Sequence, residues 1–291
     1  MPKFIVITDT HIDDPTPNGD SEWWNRVLLR QAGSTIADAW VNEIRRRSPD
    51  FVLHCGDVTN DGQTASARRA RGILDRLDCP CVVALGNHDT TRDPATRKTV
   101  CDVFGYPNGC SPWATDLSGI RVIVFPFALD LSVADTESHL VWLEDELRGS
   151  DTVPAIFLTH APLDLDLQDR DGSPPRCRPE HETVAEHLPA YLMPGRERIL
   201  SLLGKRRNVI GVFTGHTHTS DLTFPRGLLH CVTPSMIEYP FALREVVIRG
   251  NRVEVTTVVP EPSFAAQSLL PERNNTWVEG DATTQRFTHV F

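Results

Sequence analysis

No run of apolar residues in this 291-residue chain approaches the ~20 that a membrane span requires. Nor is there a basic block. The chain has 29 Lys and Arg against 39 Asp and Glu, a formal net charge of -10, which argues against nucleic-acid polymers and anionic membrane surfaces as partners. A small anionic substrate stays open, because bound divalent cations invert a local field. The 7 cysteines are odd in number and follow no regular framework, in a chain too long to need staples. They are expected as thiols in a reducing compartment, the cytoplasm. Cys79-Pro80-Cys81 is an isolated C-x-C. Cys101 and Cys110 can pair, but nothing in the sequence prefers that pairing. Internal repeats and low-complexity segments are absent. Met1-Pro2-Lys3-Phe4 leads straight into a strand pattern without a signal-peptide layout. Asn274-Asn275-Thr276 matches a glycosylation acceptor, which has no meaning in the cytosol.

Against these absences stands a repeated local pattern. Cys81-Val82-Val83-Ala84-Leu85 is a short apolar run that stops at Gly86 and is followed at once by Asn87, His88 and Asp89. A buried strand delivers polar side chains to a sheet edge in this way. Val6-Ile7-Thr8 leads likewise to Asp9 and His11, and Phe51-Val52-Leu53 to Gly56-Asp57. Ala155-Ile156-Phe157-Leu158 leads to His160, and Val209 to Phe213 leads to Gly215-His216-Thr217-His218. Five strand ends, each carrying Asp, Asn or His, exceed what folding alone asks for.

Helical spacing predicts a long helix from about 21 to 47, a second over 64–77, and others near 96–104, 136–147 and 195–203. The stretch 91–119 reads as irregular, and 163–194 as a long polar, Pro-rich excursion of the kind that is usually functional. From 228 onward the pattern is β, with Arg249-Gly250-Asn251 as a hairpin turn. The β-α alternation followed by hairpins predicts an α/β fold of packed sheets with helices outside. Residues 1–259 are expected as one domain and 260–291 as a polar C-terminal extension. His54 and His230 lie inside strand patterns and are expected in the core.

Taken singly the motifs say little. Together they offer carboxylate, amide and imidazole donors without a thiolate, which suits Mn, Fe or Zn. Their number suits two adjacent ions sharing a carboxylate. The order Asp-x-His, Gly-Asp, Gly-Asn-His-Asp, His, Gly-His-x-His, spanning Asp9 to His218, resembles the calcineurin-like metallophosphoesterase family. The resemblance implies two mixed β-sheets flanked by helices, with the site at the strand ends. It implies that Asp9, His11 and His218 hold one divalent ion, that Asn87, His160 and His216 hold the other, and that Asp57 bridges them. His88 is implied to face the phosphoryl group and the leaving oxygen without binding metal. A metal-bridging hydroxide would then cleave a small phosphodiester. Asp89 reads either as orienting a neighbour or as a helix N-cap.

Three residues after Asp57 stands Asn60, followed by Asp61-Gly62. Phosphoprotein phosphatases carry Asp there with Arg-Gly after it, purple acid phosphatases a Tyr, and double-strand-break nucleases a His. The pattern looks most like the bacterial cyclic-nucleotide and glycerophosphodiester phosphodiesterase branch. A neutral Asn60 amide can orient His88 but not hold it charged, which favours good leaving groups. Substrate choice is expected in the loops 13–20, 91–113, 163–194 and 235–239. Arg92, Trp113 and Tyr239 there can stack on a base or touch a phosphate, or be ordinary loop residues. The alternatives are a phosphomonoesterase acting on nucleotides or sugar phosphates, and a non-catalytic scaffold with the same fold. A homo-oligomer is compatible with the sequence.

Overall fold

The computed structural model describes residues 1–13, 32–90, 93–127, 133–149, 152–166, 191–268 and 278–291. Its strands follow the apolar runs. In chain order they are Lys3–Ile7 (β1), Phe51–His54 (β2), Cys81–Val83 (β3), Pro107–Cys110 (β4), Trp113–Leu117 (β5), Ile120–Phe125 (β6) and Ala155–Thr159 (β7). Val209–Thr214 (β8), Asp221–Thr223 (β9), His230–Val232 (β10), Leu243–Arg249 (β11), Arg252–Val258 (β12) and Arg286–Val290 (β13) complete them. The helices are Gly33–Arg47 (α1), Thr64–Leu74 (α2), Pro94–Val103 (α3), Val133–Gly149 (α4), Arg196–Leu203 (α5), Ala265–Ser268 (α6) and Ala282–Gln285 (α7).

Two mixed sheets result, in the orders β13-β12-β11-β1-β2-β3 and β5-β6-β7-β8-β10-β9. Each has a parallel block, β1-β2-β3 at one end of the first and β6-β7-β8-β10 in the middle of the second. Antiparallel strands make up the rest. The central strands are buried on both faces, which is why they read as unbroken apolar runs rather than alternating ones. The sheets meet through Phe4, which stacks on Phe51 and meets Phe213 of the other sheet edge-on at 5.7 Å. Trp40, Val41 and Ile44 of α1 share that core. A second cluster joins Ile123, Phe125, Phe157 and Val212 to Leu140, Leu143 and Leu147 of α4 and Ile199 and Leu203 of α5. The fold is thus the α/β arrangement of two packed, helix-flanked sheets.

Several details differ from the sequence reading. The stretch 91–119 holds β5, joined to β6 by a two-residue turn, Ser118-Gly119, in which both residues have positive φ. The start of the long helix expected over 21–47 and most of the 163–194 excursion lie outside the described residues. Part of the 260–291 segment is built into the first sheet rather than standing apart from it: β13 pairs with β12 from Arg252↔Val290 to Thr256↔Arg286. Cys101 and Cys110, with Cα atoms 5.5 Å apart across the tight turn between α3 and β4, are joined as a disulfide. A uniform set of thiols therefore does not hold, although Cys55, Cys79, Cys81 and Cys231 are free. Among the described residues no helix is long and apolar enough to cross a membrane.

Candidate metal centre

Parallel strands place their carboxyl ends along one edge, and there the two sheets face each other. Asp9 and His11 follow β1, Asp57 follows β2, and Asn87, His88 and Asp89 follow β3. His160 follows β7, while His216 and His218 follow β8. Backbone bonds hold these turns in place: Asp9 N–H donates to Gly56 O, His11 N–H to Asp57 O, and Gly215 N–H to His160 O. The two sheets are also bonded to each other here, as from His216 N–H to Asp9 Oδ2 at 3.0 Å.

Three groups of side chains converge there: Asp9, His11 and His218; His11, Asp57 and His88; and Asp57, His160 and His216. Within each, one donor atom per residue lies within 4.8 Å of the others. His11 Nε2 and His218 Nε2 face each other at 3.2 Å, and His160 Nε2 and His216 Nδ1 at 3.1 Å. Asp57 Oδ2 lies 3.1 Å from His160 Nε2 and 3.9 Å from His11 Nε2, so it addresses both sides. Its other oxygen accepts the His88 backbone N–H at 2.8 Å. Asp9 Oδ1 and Asn87 Oδ1 are buried without a hydrogen-bond partner. A buried oxygen in that state costs about 1–3 kcal/mol, and a cation offsets the cost. The unpartnered oxygens and the thiolate-free donor set fit divalent ions.

The backbone is strained at the same places. Among the described residues nine non-glycine positions have positive φ, and Asp9, His11, Asp57, His216 and His218 are five of them, at 50, 42, 49, 71 and 57°. Each costs on the order of 1–3 kcal/mol and persists when its surroundings over-determine it. Packing explains one glycine of the motif: a Cβ at Gly86 would run into Asp57 and His160.

Ring orientation is fixed from behind. His160 Nδ1 bonds Cys55 O at 2.9 Å, His88 Nδ1 bonds Asn60 O at 2.8 Å, and His218 Nδ1 faces Glu238 Oε2 at 2.6 Å. It is thus the backbone carbonyl of Asn60, not its amide, that meets His88, so the neutral side chain is not what orients that ring. Burial alone would push the His160 and His218 imidazoles down. Asp57 outweighs it at His160, and Asp9 with Glu238 outweighs it at His218, so both are held up at about 9. Burial and the neighbouring His160 push His216 down to about 3. Burial, with Asp57 adding to it, lifts Asp89 to about 6 against the pull of its hydrogen bonds.

Asp89 is not a helix cap. Its carboxylate accepts from the backbone N–H groups of Val58, Thr59 and Gly86 and from the Thr59 hydroxyl, clamping the β2 and β3 turns together. Of the residues read as possible substrate contacts, Tyr239 is buried with its hydroxyl bonded to Glu279, so its ring packs inside. Trp113 packs edge-on against Tyr106 at 5.8 Å, and Arg92 lies outside the described residues. Sequence reasoning missed Phe127 and Tyr191, whose rings lie 5.5 and 5.8 Å from His216, and Glu238. His54 and His230 are core residues as expected: His54 accepts from Gly56 N–H, and His230 from Leu163 N–H.

A sequence model described as calcineurin-like phosphoesterase matches residues 2–220, the span that carries all of these turns. The chain belongs to the calcineurin-like phosphoesterase family. This phosphoesterase is 28% identical over 226 residues to a probable glycerophosphodiester phosphodiesterase GpdQ of Arcobacter nitrofigilis, covering 75% of this chain and 72% of that protein. It is 30% identical over 203 residues to a probable cyclic nucleotide phosphodiesterase of a Synechococcus species, covering 66% and 71%. Among solved structures, a dimetal phosphatase from Danio rerio shares the fold with a TM-score of 0.61 at 16% identity, over 88% of this chain and 95% of that one. By family and relatives, the chain is a phosphoester hydrolase.

Proposed function

We propose that this phosphoesterase is a dinuclear metal-dependent phosphodiesterase acting on small molecules of the glycerophosphodiester or cyclic-nucleotide type, as its relatives are named. The observation that carries the reading is Asp57, whose Oδ2 faces His160 on one side and His11 on the other. Asp9, His11 and His218 would hold one ion, Asn87, His160 and His216 the other, and Asp57 both, with Mn, Fe or Zn as the fitting ions. When bound, two such cations neutralise phosphoryl charge and lower the pKa of water into the working range.

The chain's own residues supply the rest. The Cys55 carbonyl holds the proton of His160 at Nδ1, which leaves the lone pair on Nε2, beside Asp57, free for an ion. The Asn60 carbonyl can only accept, so it keeps a proton on His88 Nδ1. When His88 is also protonated at Nε2, that proton goes to the expelled alkoxide oxygen. His88 shares a cluster with His11 and Asp57, so its role as acid rather than ligand needs its own test. The experiment is turnover of bis(p-nitrophenyl) phosphate against p-nitrophenyl phosphate by Mn²⁺-loaded protein. Faster diester turnover is expected. Faster monoester turnover would favour a phosphomonoesterase, and no turnover with any divalent ion would remove the catalytic reading.

A further inference from the structure

We propose that Glu238 is a positioning residue for His218, an inference that rests on the metal-centre reading above. An imidazole that binds through one nitrogen is oriented only if its second nitrogen is engaged, since that bond sets both ring rotation and tautomer. His160 and His88 meet backbone carbonyls, which are neutral acceptors supplied by the turns themselves. His218 instead meets a carboxylate, Glu238 Oε2, at 2.6 Å from Nδ1. Glu238 is 5% exposed. A carboxylate in that setting is costly unless charge-assisted hydrogen bonds compensate it.

The segment carrying Glu238 is tied to the centre from the other side too. It crosses from β10 in the second sheet to β11 in the first. Met236 N–H donates to Thr8 O at 3.1 Å, and Ser235 Oγ donates to Asp9 O at 3.0 Å. Phe241 N–H closes a turn onto Glu238 O at 2.7 Å, and Tyr239 N–H donates to Ser268 Oγ at 2.7 Å. Glu238 is therefore anchored to the residue that brings the Asp9 carboxylate while its own carboxylate faces His218, so it sets the spacing between those two donors. The Nδ1 proton stays on the Glu238 side, and Nε2 is left turned toward Asp9 Oδ1 at 3.3 Å.

The test uses the full chain stripped of metal by chelator and titrated with Mn²⁺ alone, free Mn²⁺ being read by electron paramagnetic resonance. Glu238→Ala is expected to weaken one binding step by about 10–100-fold and to leave the other within about threefold. Glu238→Gln, whose amide oxygen can still accept the Nδ1 proton, is expected to fall between the parent and Glu238→Ala. Variants that bind Mn²⁺ as the parent does, whatever their thermal midpoint, would overturn the proposal, because packing would then account for the residue. Should Glu238→Ala fail to fold, the isosteric Glu238→Gln decides alone: unchanged affinity overturns, and one weakened step supports. A parent that takes up no Mn²⁺ would remove the metal centre itself. A parent that binds while the variants match it would remove only the role of Glu238.

Discussion

Two buried polar regions of this phosphoesterase are built on opposite terms. Around Arg244, which is 0% exposed, two guanidinium nitrogens donate four hydrogen bonds, to Thr257 Oγ1, Thr284 O, Ser220 Oγ and Val232 O, and only Nε is left without a partner. Those partners come from β12, the end of α7, the turn before β9 and the end of β10, so one side chain knits the C-terminal segment to both sheets. At the strand-end centre the balance is reversed: Asp9 Oδ1 and Asn87 Oδ1 lack partners, imidazole nitrogens face each other, and five residues sit in left-handed conformations. The first region serves stability. The second carries strain and unpaired oxygens that folding does not explain but a cation would.

If the two regions differ in this way, substitutions should separate activity from stability. Asp57→Ala should show the largest effect: binding of both ions is lost, and turnover falls by roughly 10⁴-fold or more, while the metal-free chain still folds. Metal content and kcat measure this, and retention of either ion would refute the shared-carboxylate reading. His88→Ala should keep both ions but lose about 10²–10³-fold in kcat. Equal metal loss in the two variants would make His88 a ligand, which its cluster with His11 and Asp57 allows.

Arg244→Met should do the converse. Four acceptors lose their donor in a buried place, so unfolding free energy should drop by about 3 kcal/mol or more. Metal content per folded molecule and kcat should stay near the parent's. Urea denaturation beside activity per folded protein checks it, and loss of metal at unchanged stability would erase the contrast between the regions.

The centre was legible in the sequence where its signal is local. An apolar run that is followed by Asp, Asn or His states both the strand and what the strand delivers, and β1, β2, β3, β7 and β8 all do so. What spans distance was not legible. Glu238 is one carboxylate in an apolar loop, and it acquires meaning only because the crossover from β10 to β11 returns it to His218, 20 residues earlier in the chain. Asn60 was weighed by its side chain, whereas its carbonyl does the contacting, and backbone atoms are the same at every residue. The β5–β6 hairpin was not read from 91–119, because its Ser118-Gly119 turn rests on positive φ at both central residues, which a Ser does not advertise. β13 alternates exposed and half-buried residues from Arg286 to Val290, a pattern masked by the polar residues before it. Left-handed backbone at Asp9, His11, Asp57, His216 and His218 leaves no trace in composition at all.

The smallest expected effect sharpens the contrast through pH. In the metal-free chain His160 and His218 are held up at about 9, against 6.5 for a free imidazole. A group raised in the folded state contributes stability that is complete below its unfolded value and is lost as pH climbs through the folded one. The chelator-treated protein should therefore lose thermal stability steadily between pH 6.5 and pH 9. Bound Mn²⁺ takes the nitrogens in place of protons, so loading at neutral pH should release protons and remove most of that decline. The gap in thermal midpoint between loaded and metal-free protein should widen across the window. Arg244→Met should shift both curves down together and leave the gap intact, since its partners do not titrate there. A metal-free midpoint that stays flat or rises from pH 6.5 to pH 9 would mean that the two imidazoles are not proton-loaded beside Asp57 and Asp9. The electrostatic half of the contrast would then fail, even with the geometry unchanged.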